Sequence, residues 1–228
     1  MISVVVDIDD TIINTGRRLQ AIWLELLGLE IPLEEVETSN LGKIFMKFAS
    51  TEQKDKAREF QKRFWNLLLC VEEVGNASLK LHEPIPYAAD VLQEWSMACI
   101  IAYLTGRTEN MRSNTLDELK KYGFPTENAR LYMFTGKDFA RAKGLDPSGP
   151  TLVDARSYLM TKISKNYNVI RVIDDYPGYF NTYRQFKVPD RIGILRPRKY
   201  TRQHYIDQGA TRVVESWKAL QNDPPRLI

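Results

Sequence analysis

Apolar residues run unbroken through Val4–Val6 and then stop at Asp7, Asp9 and Asp10. Two more runs share that character, Ala98–Leu104 (ACIIAYL) and Val169–Ile173 (VIRVI). A continuous β-branched run is the pattern of a strand covered on both faces. Arg191–Leu195 and Ala210–Val214 are weaker strands by the same criterion. Between these runs, helical patterning covers Tyr87–Trp95, Glu109–Tyr122, Tyr158–Asn166 and Tyr179–Phe186. Strands alternating with helices predict an α/β fold, a Rossmann-like parallel sheet core with helices on both faces.

One region breaks the alternation. From about Thr15 to Ile85 the patterning is helical and no strand stands out. Thr51–Cys70 (TEQKDKAREFQKRFWNLLLC) predicts one long helix, polar at first and apolar at its end, capped by Thr51. Its last stretch, Phe64–Cys70, reads as the core of this region. Charge separates the two parts as well: residues 15–85 carry 10 Lys and Arg against 11 Asp and Glu, while the rest of the chain is net positive. Pro84 and Pro86 punctuate the return to strand-forming sequence. The expected organisation is therefore a core domain of residues 1–14 and 85–228, with a small helical cap inserted at 15–84.

Composition narrows the class. The chain has 228 residues, 43% of them hydrophobic and 27% charged, as in an ordinary globular protein. A formal net charge of +3 is too small to argue for nucleic acid by itself. Cys70 and Cys99 are far apart and lack metal-ligand spacing, so they read as free thiols in a reducing compartment. The apolar start is broken at Asp7, unlike a signal peptide, and the longest apolar run, Met97–Leu104, is too short to span a bilayer. The expectation is a cytoplasmic protein with no membrane partner.

Open α/β sheets bind their ligands outside the carboxyl ends of the strands. The three strong strands end in DIDDT (Asp7–Thr11), YLTGR (Tyr103–Arg107) and IDDYPGYF (Ile173–Phe180). Asp7 and Asp9 are two residues apart, so on a strand they point to one side and repel each other. Something positive is expected between them. Asp7, Asp9, Asp174 and Asp175 make the oxygen-rich set that Mg²⁺ prefers, and no His or Cys is near enough in sequence to favour zinc. A carboxylate can attack phosphorus, and a second carboxyl can protonate the leaving oxygen and then activate water. The Thr105 hydroxyl and nearby backbone N–H groups can hold phosphoryl oxygens.

DIDDT, LTGR and VIDD, in this order, resemble the first, second and fourth motifs of the haloacid dehalogenase superfamily of phosphatases. The resemblance covers about residues 1–14 and 85–195 and leaves the cap unmatched in detail. It implies Asp7 as nucleophile through an aspartyl-phosphate, Asp9 as general acid/base and Thr105 as the phosphate-binding hydroxyl. Asp174 and Asp175 would be acidic residues of the metal site. Gly106 and Arg107, in the same LTGR stretch, are expected to line the substrate site. That superfamily places small helical caps just after its first motif, as here. The third motif is a basic residue on the helix before the last acidic strand, and here the pattern departs: Ala155 stands where a lysine is expected, followed by Arg156, with Lys162 and Lys165 further on. Lys162 is favoured over Arg156 for this role.

The expected function is a Mg²⁺-dependent phosphatase acting on a small-molecule phosphate ester closed over by the cap. Three rivals stand beside it. LTGR and IDD also look like the motifs of polynucleotide phosphatases, which act on nucleic-acid ends, and the basic stretch Arg196–Arg202 (RPRKYTR) could touch such a ligand, although such runs are more often solvated surface. A phospho-acceptor receiver domain also gathers acids at a sheet edge, but at about half this length. A non-catalytic binding protein on the same core rests only on the absent lysine.

Overall fold

The computed structural model describes residues 1–135, 152–196 and 199–225. The chain forms two compact units, one made of Met1–Ile13, Pro84–Arg196 and Tyr200–Ile228, the other built on Asn14–Glu83. It passes from the first to the second through β2 (Ile13–Asn14) and back through β3 (Glu83–Pro84), which pair as a two-stranded ribbon.

The smaller unit is helical. Its elements are α1 (Gly16–Leu27), α2 (Leu33–Thr38), α3 (Leu41–Phe48), α4 (Thr51–Asp55), α5 (Ala57–Leu68) and α6 (Glu73–Ala77). Trp23, Leu26 and Leu27 of α1 pack with Phe64 and Leu67 of α5, and the Trp23 and Phe64 rings lie 5.0 Å apart. The long helix expected over Thr51–Cys70 is interrupted at Lys56 (φ −102°, ψ 24°). No residue of α4 is buried, so no packing holds α4 in line with α5. Ser50 rather than Thr51 caps α4: its hydroxyl accepts from Gln53 N–H while the Gln53 side chain accepts from Ser50 N–H.

The larger unit is a six-stranded sheet in the order β5-β4-β1-β6-β7-β8. The strands are β1 (Ile2–Val6), β4 (Ile100–Thr108), β5 (Ala129–Phe134), β6 (Asn168–Asp174), β7 (Asp190–Ile194) and β8 (Arg212–Val214), and every adjacent pair is parallel. Helices α7 (Ala88–Ser96), α8 (Arg112–Lys121), α9 (Leu152–Asn166), α10 (Phe180–Gln185) and α11 (Arg202–Asp207) lie between the strands in sequence. β1 sits between β4 and β6 because its residues suit the middle of the sheet: Val4, Val5 and Val6 are fully buried. The sheet is thus the α/β arrangement expected. Strand β5 was not expected. Its sequence ARLYMF mixes apolar and basic residues, and as an edge strand it is only partly covered. Among the described residues no helix is long and apolar enough to cross a membrane.

Candidate active site

The sheet order decides what meets what. With β1 between β4 and β6, the ends of the three strands form one edge. Asp7 N–H donates to Ile173 O at 3.0 Å, so Asp7 continues the β1–β6 register one residue beyond β1. Asp174 ends β6 and Asp175 follows it. All three carboxylates are buried. Thr11, the last residue of DIDDT, links two of them: its fully buried hydroxyl lies 3.2 Å from both Asp7 Oδ2 and Asp175 Oδ1 and accepts from Asp175 N–H. Nothing in the residue pattern had singled out Thr11 as a bridge. Asp10, the third acid of the motif, adopts φ +62°, a left-handed conformation that Asp tolerates, and pairs with Arg196 at 3.3 Å.

The cation facing this cluster is Arg156. Its Nη2 reaches Asp7 Oδ1 at 2.5 Å and Asp174 Oδ2 at 2.6 Å, its Nε donates to Tyr183 Oη at 2.8 Å, and its guanidinium stacks on the Tyr179 ring at 4.1 Å. Tyr183 also donates to Asp174 Oδ2. Lys162, favoured from the sequence, stands elsewhere: it is exposed and its ammonium lies over the Tyr158 ring at 4.3 Å. The reason is helical phase. Arg156, Leu159, Met160 and Ile163 are all buried, which is the i, i+3, i+4, i+7 face of α9. Lys162, six residues after Arg156, is rotated from it by about 120°. Helix α9 also begins at Leu152, earlier than the Tyr158 start expected, so Arg156 lies inside its second turn.

Burial pushes the Asp7 carboxyl well above the usual carboxylate range; Arg156 opposes the rise and Asp174 and Asp175 add to it. Burial also pushes the Tyr183 hydroxyl up, opposed by Arg156. Desolvation works to weaken the Arg156 cation, but the acids around it, Asp174 foremost, outweigh that and hold it firmly charged.

Asp9 belongs to a second network. Arg107, expected to line the substrate site, turns its guanidinium onto protein acids instead. Its Nε and Nη2 grip both Asp9 oxygens at 2.7–3.1 Å, and its Nη1 donates to Glu118 Oε2 at 2.6 Å and Thr115 Oγ1 at 3.2 Å. This is a bidentate fork on a carboxylate, buttressed from helix α8. Thr105 is fully buried; its hydroxyl lies 3.4 Å from Asp9 Oδ2 and accepts from Arg107 N–H. The space beside the Gly106 Cα is open, with no atom within 4 Å of where a Cβ would stand. Thr115 and Glu118 carried no sequence signal beyond membership of a helix.

The residues fit a hard divalent cation. Asp7, Asp174 and Asp175 each offer a carboxylate oxygen, all within 4.8 Å of one another, a spacing and donor type that Mg²⁺ or Ca²⁺ accepts. Such a cation would offset the repulsion among three carboxylates gathered this closely. Asp9, expected as a fourth carboxylate ligand, is not in this group, because its carboxylate is held by Arg107.

No known family profile and no curated protein sequence matches the chain. Solved structures do. A haloacid dehalogenase-like family hydrolase from Streptococcus pneumoniae aligns with a TM-score of 0.63 at 14% identity, covering 98% of this chain and 98% of that one. A hydrolase from Pseudomonas syringae gives 0.58 at 16% identity over 97% of each chain. A haloacid dehalogenase family hydrolase from Deinococcus radiodurans, solved with bound phosphate and sodium, gives 0.56 at 16% identity over 97% of this chain and 93% of its own. At such identities the likeness is one of fold. The chain shares the fold of these hydrolases.

Proposed function

We propose that the protein is a phosphatase that hydrolyses a small phosphate monoester and depends on Mg²⁺. One observation carries this reading: a buried carboxylate, Asp7, at the carboxyl edge of β1, paired with Arg156 and clustered with two further acids, Asp174 and Asp175. A structural ion pair has no use for the extra acids.

In the first half of the reaction an Asp7 oxygen attacks phosphorus. The bond from phosphorus to the ester oxygen breaks, and the alcohol leaves with a proton from the Asp9 carboxyl. In the second half Asp9 takes a proton from water, whose oxygen attacks the phosphoryl group, freeing phosphate and Asp7. Arg107 and Glu118 fix the direction in which Asp9 works. Arg156 and the Thr105 hydroxyl offset and hold phosphoryl oxygens. Asp7, Asp174 and Asp175 would hold the metal, which screens the repulsion between nucleophile and phosphate when bound.

A small ester suits this chain better than a nucleic-acid end. Arg196 and Arg202, which bracket the basic stretch, are engaged by Asp10 and Glu215, and Pro197 and Arg198 lie outside the described residues. Both cysteines are free thiols, which suits a cytoplasmic setting. The test is phosphate release from a panel of small phosphate monoesters. Turnover is expected with Mg²⁺ and not in excess chelator; turnover that survives chelation removes the metal, and a silent panel removes the phosphatase.

A further inference from the structure

Beyond Asp175 the chain makes a tight turn at Pro177–Tyr179. Three tyrosines gather there beside the acid cluster. Tyr176 and Tyr179 meet edge to face at 4.8 Å, and Tyr176 and Tyr200 at 5.9 Å. Tyr179 lies under the Arg156 guanidinium, so the aromatic group is continuous with the cation that faces Asp7. Tyr176 donates its backbone N–H to Asp174 Oδ1 at 2.8 Å, yet the residue is 42% exposed. Its ring is also held in place. It packs on Gly178, where a Cβ would come within 2.5 Å of Tyr176 Cε1. Burial pushes the Tyr200 hydroxyl up to about 12, with Tyr176 and then Asp175 adding to the rise.

An exposed tyrosine is ordinary. An exposed ring fixed on a glycine, two residues from a buried acid of the cluster and backed by two more rings, is a preorganised flat surface. Such a surface pays little entropy when it stacks on a ligand. With the phosphoryl group at Asp7 and Arg156, the part of the ester nearest this wall is the leaving group. We infer that Tyr176, supported by Tyr179 and Tyr200, is a stacking wall for the leaving group, and that the preferred substrates are phosphate monoesters bearing a planar ring. The inference rests on the phosphatase reading for its kinetic test and on binding alone for its second test.

The ring could be a nucleobase or a simple arene, and matched pairs separate the two. Adenosine 5′-monophosphate is compared with ribose 5-phosphate, and benzyl phosphate with cyclohexylmethyl phosphate. Each pair differs in the ring while keeping a similar leaving oxygen. In the wild type, kcat/KM is expected to favour the ring-bearing member of at least one pair by about tenfold or more, and the pair that shows it names the source of the ring. Tyr176→Ala should collapse that ratio through KM, Tyr176→Phe should preserve it, and Tyr158→Ala, at an exposed tyrosine over Lys162, should leave it as it was. No ring preference in the wild type, or a ratio unmoved by Tyr176→Ala, overturns the wall. If no ester is hydrolysed, the phosphatase reading has failed, and calorimetric binding of adenosine monophosphate decides the wall. Binding weakened about tenfold by Tyr176→Ala supports it, and equal or absent binding overturns it.

Discussion

The two ends of the strands around β6 carry two charge networks of opposite design. Where β7 and β8 begin, Arg171 reaches Asp190 at 2.6 Å and Asp223 at 3.4 Å, and Arg212 reaches the same two acids at 2.9 and 2.6 Å. Arg171 also stacks on Trp95 at 4.7 Å and donates to the Asp223 carbonyl. Two cations meet two acids, and the network closes on itself. Where β1 and β6 end, five acids gather: Arg156 bridges Asp7 and Asp174, Arg107 bridges Asp9 and Glu118, and Asp175 joins Asp7 and Asp174 in one carboxylate cluster. Crowding carboxylates together is costly unless something offsets their repulsion. The balanced end ties the C-terminal segment to the sheet. Under the proposed function, the acidic end is the one that takes a cation and a phosphoryl group from outside.

That contrast can be broken one side at a time. The largest effect belongs to the acidic end. Asp7→Asn should lower phosphate release on the order of 10⁴-fold, since an amide cannot attack phosphorus, while circular dichroism shows the fold intact. A variant that still turns over at more than a tenth of the wild-type rate would remove Asp7 as nucleophile. At the balanced end the order of effects reverses. Arg171→Met keeps an apolar stem against Trp95 but leaves Asp190 and Asp223 with one partner fewer. It should cost about 1–3 kcal/mol in chemical denaturation, with kcat/KM close to wild type. Comparable losses of rate in both variants would erase the distinction between the two networks.

A smaller effect sharpens the acidic end itself. Arg156→Lys keeps a cation but loses the planar guanidinium whose Nη2 bridges Asp7 and Asp174 while its Nε donates to Tyr183. We expect kcat/KM to fall by tenfold or more, about 1.4 kcal/mol or above, in steady-state assays. The smallest effect expected is none: Lys162→Ala should stay within about twofold of wild type, because it removes an exposed ammonium. A larger loss at Lys162 than at Arg156 would return the third-motif role to the lysine.

Much of the core could be read from residues alone. The runs at Val4–Val6, Ala98–Leu104 and Val169–Ile173 mark strands whatever face they present, because both faces are covered and no register has to be guessed. Strand β5 was not legible, since an edge strand half open to solvent carries a mixed pattern. The break at Lys56 was hidden because the stretch around it suits a helix, and only packing distinguishes a held turn from an unheld one. The acids of the site were visible as types at strand ends. Their partners were not: Thr11, Thr115, Glu118, Tyr179 and Tyr183 look like any polar or aromatic residue until the sheet order and helix phases bring them together.

The choice between Arg156 and Lys162 shows where the boundary lies. The family resemblance implied a basic residue on the helix before β6, and the sequence offered Arg156, Lys162 and Lys165 for that place. Even the face was written in the chain, since Arg156 shares its turn pattern with Leu159, Met160 and Ile163. What the pattern lacked was the knowledge that a charged residue on an apolar face had a buried partner to meet. Only the tertiary structure supplied it, by placing β1 beside β6 so that Asp7 and Asp174 stand within reach of one guanidinium. The same holds for Asp9 and Arg107, nearly a hundred positions apart and joined because β1 and β4 are neighbours. Chemistry at a strand end follows from residue type, which is local. Which charges neutralise one another follows from strand order and helix phase, which no short stretch of sequence contains.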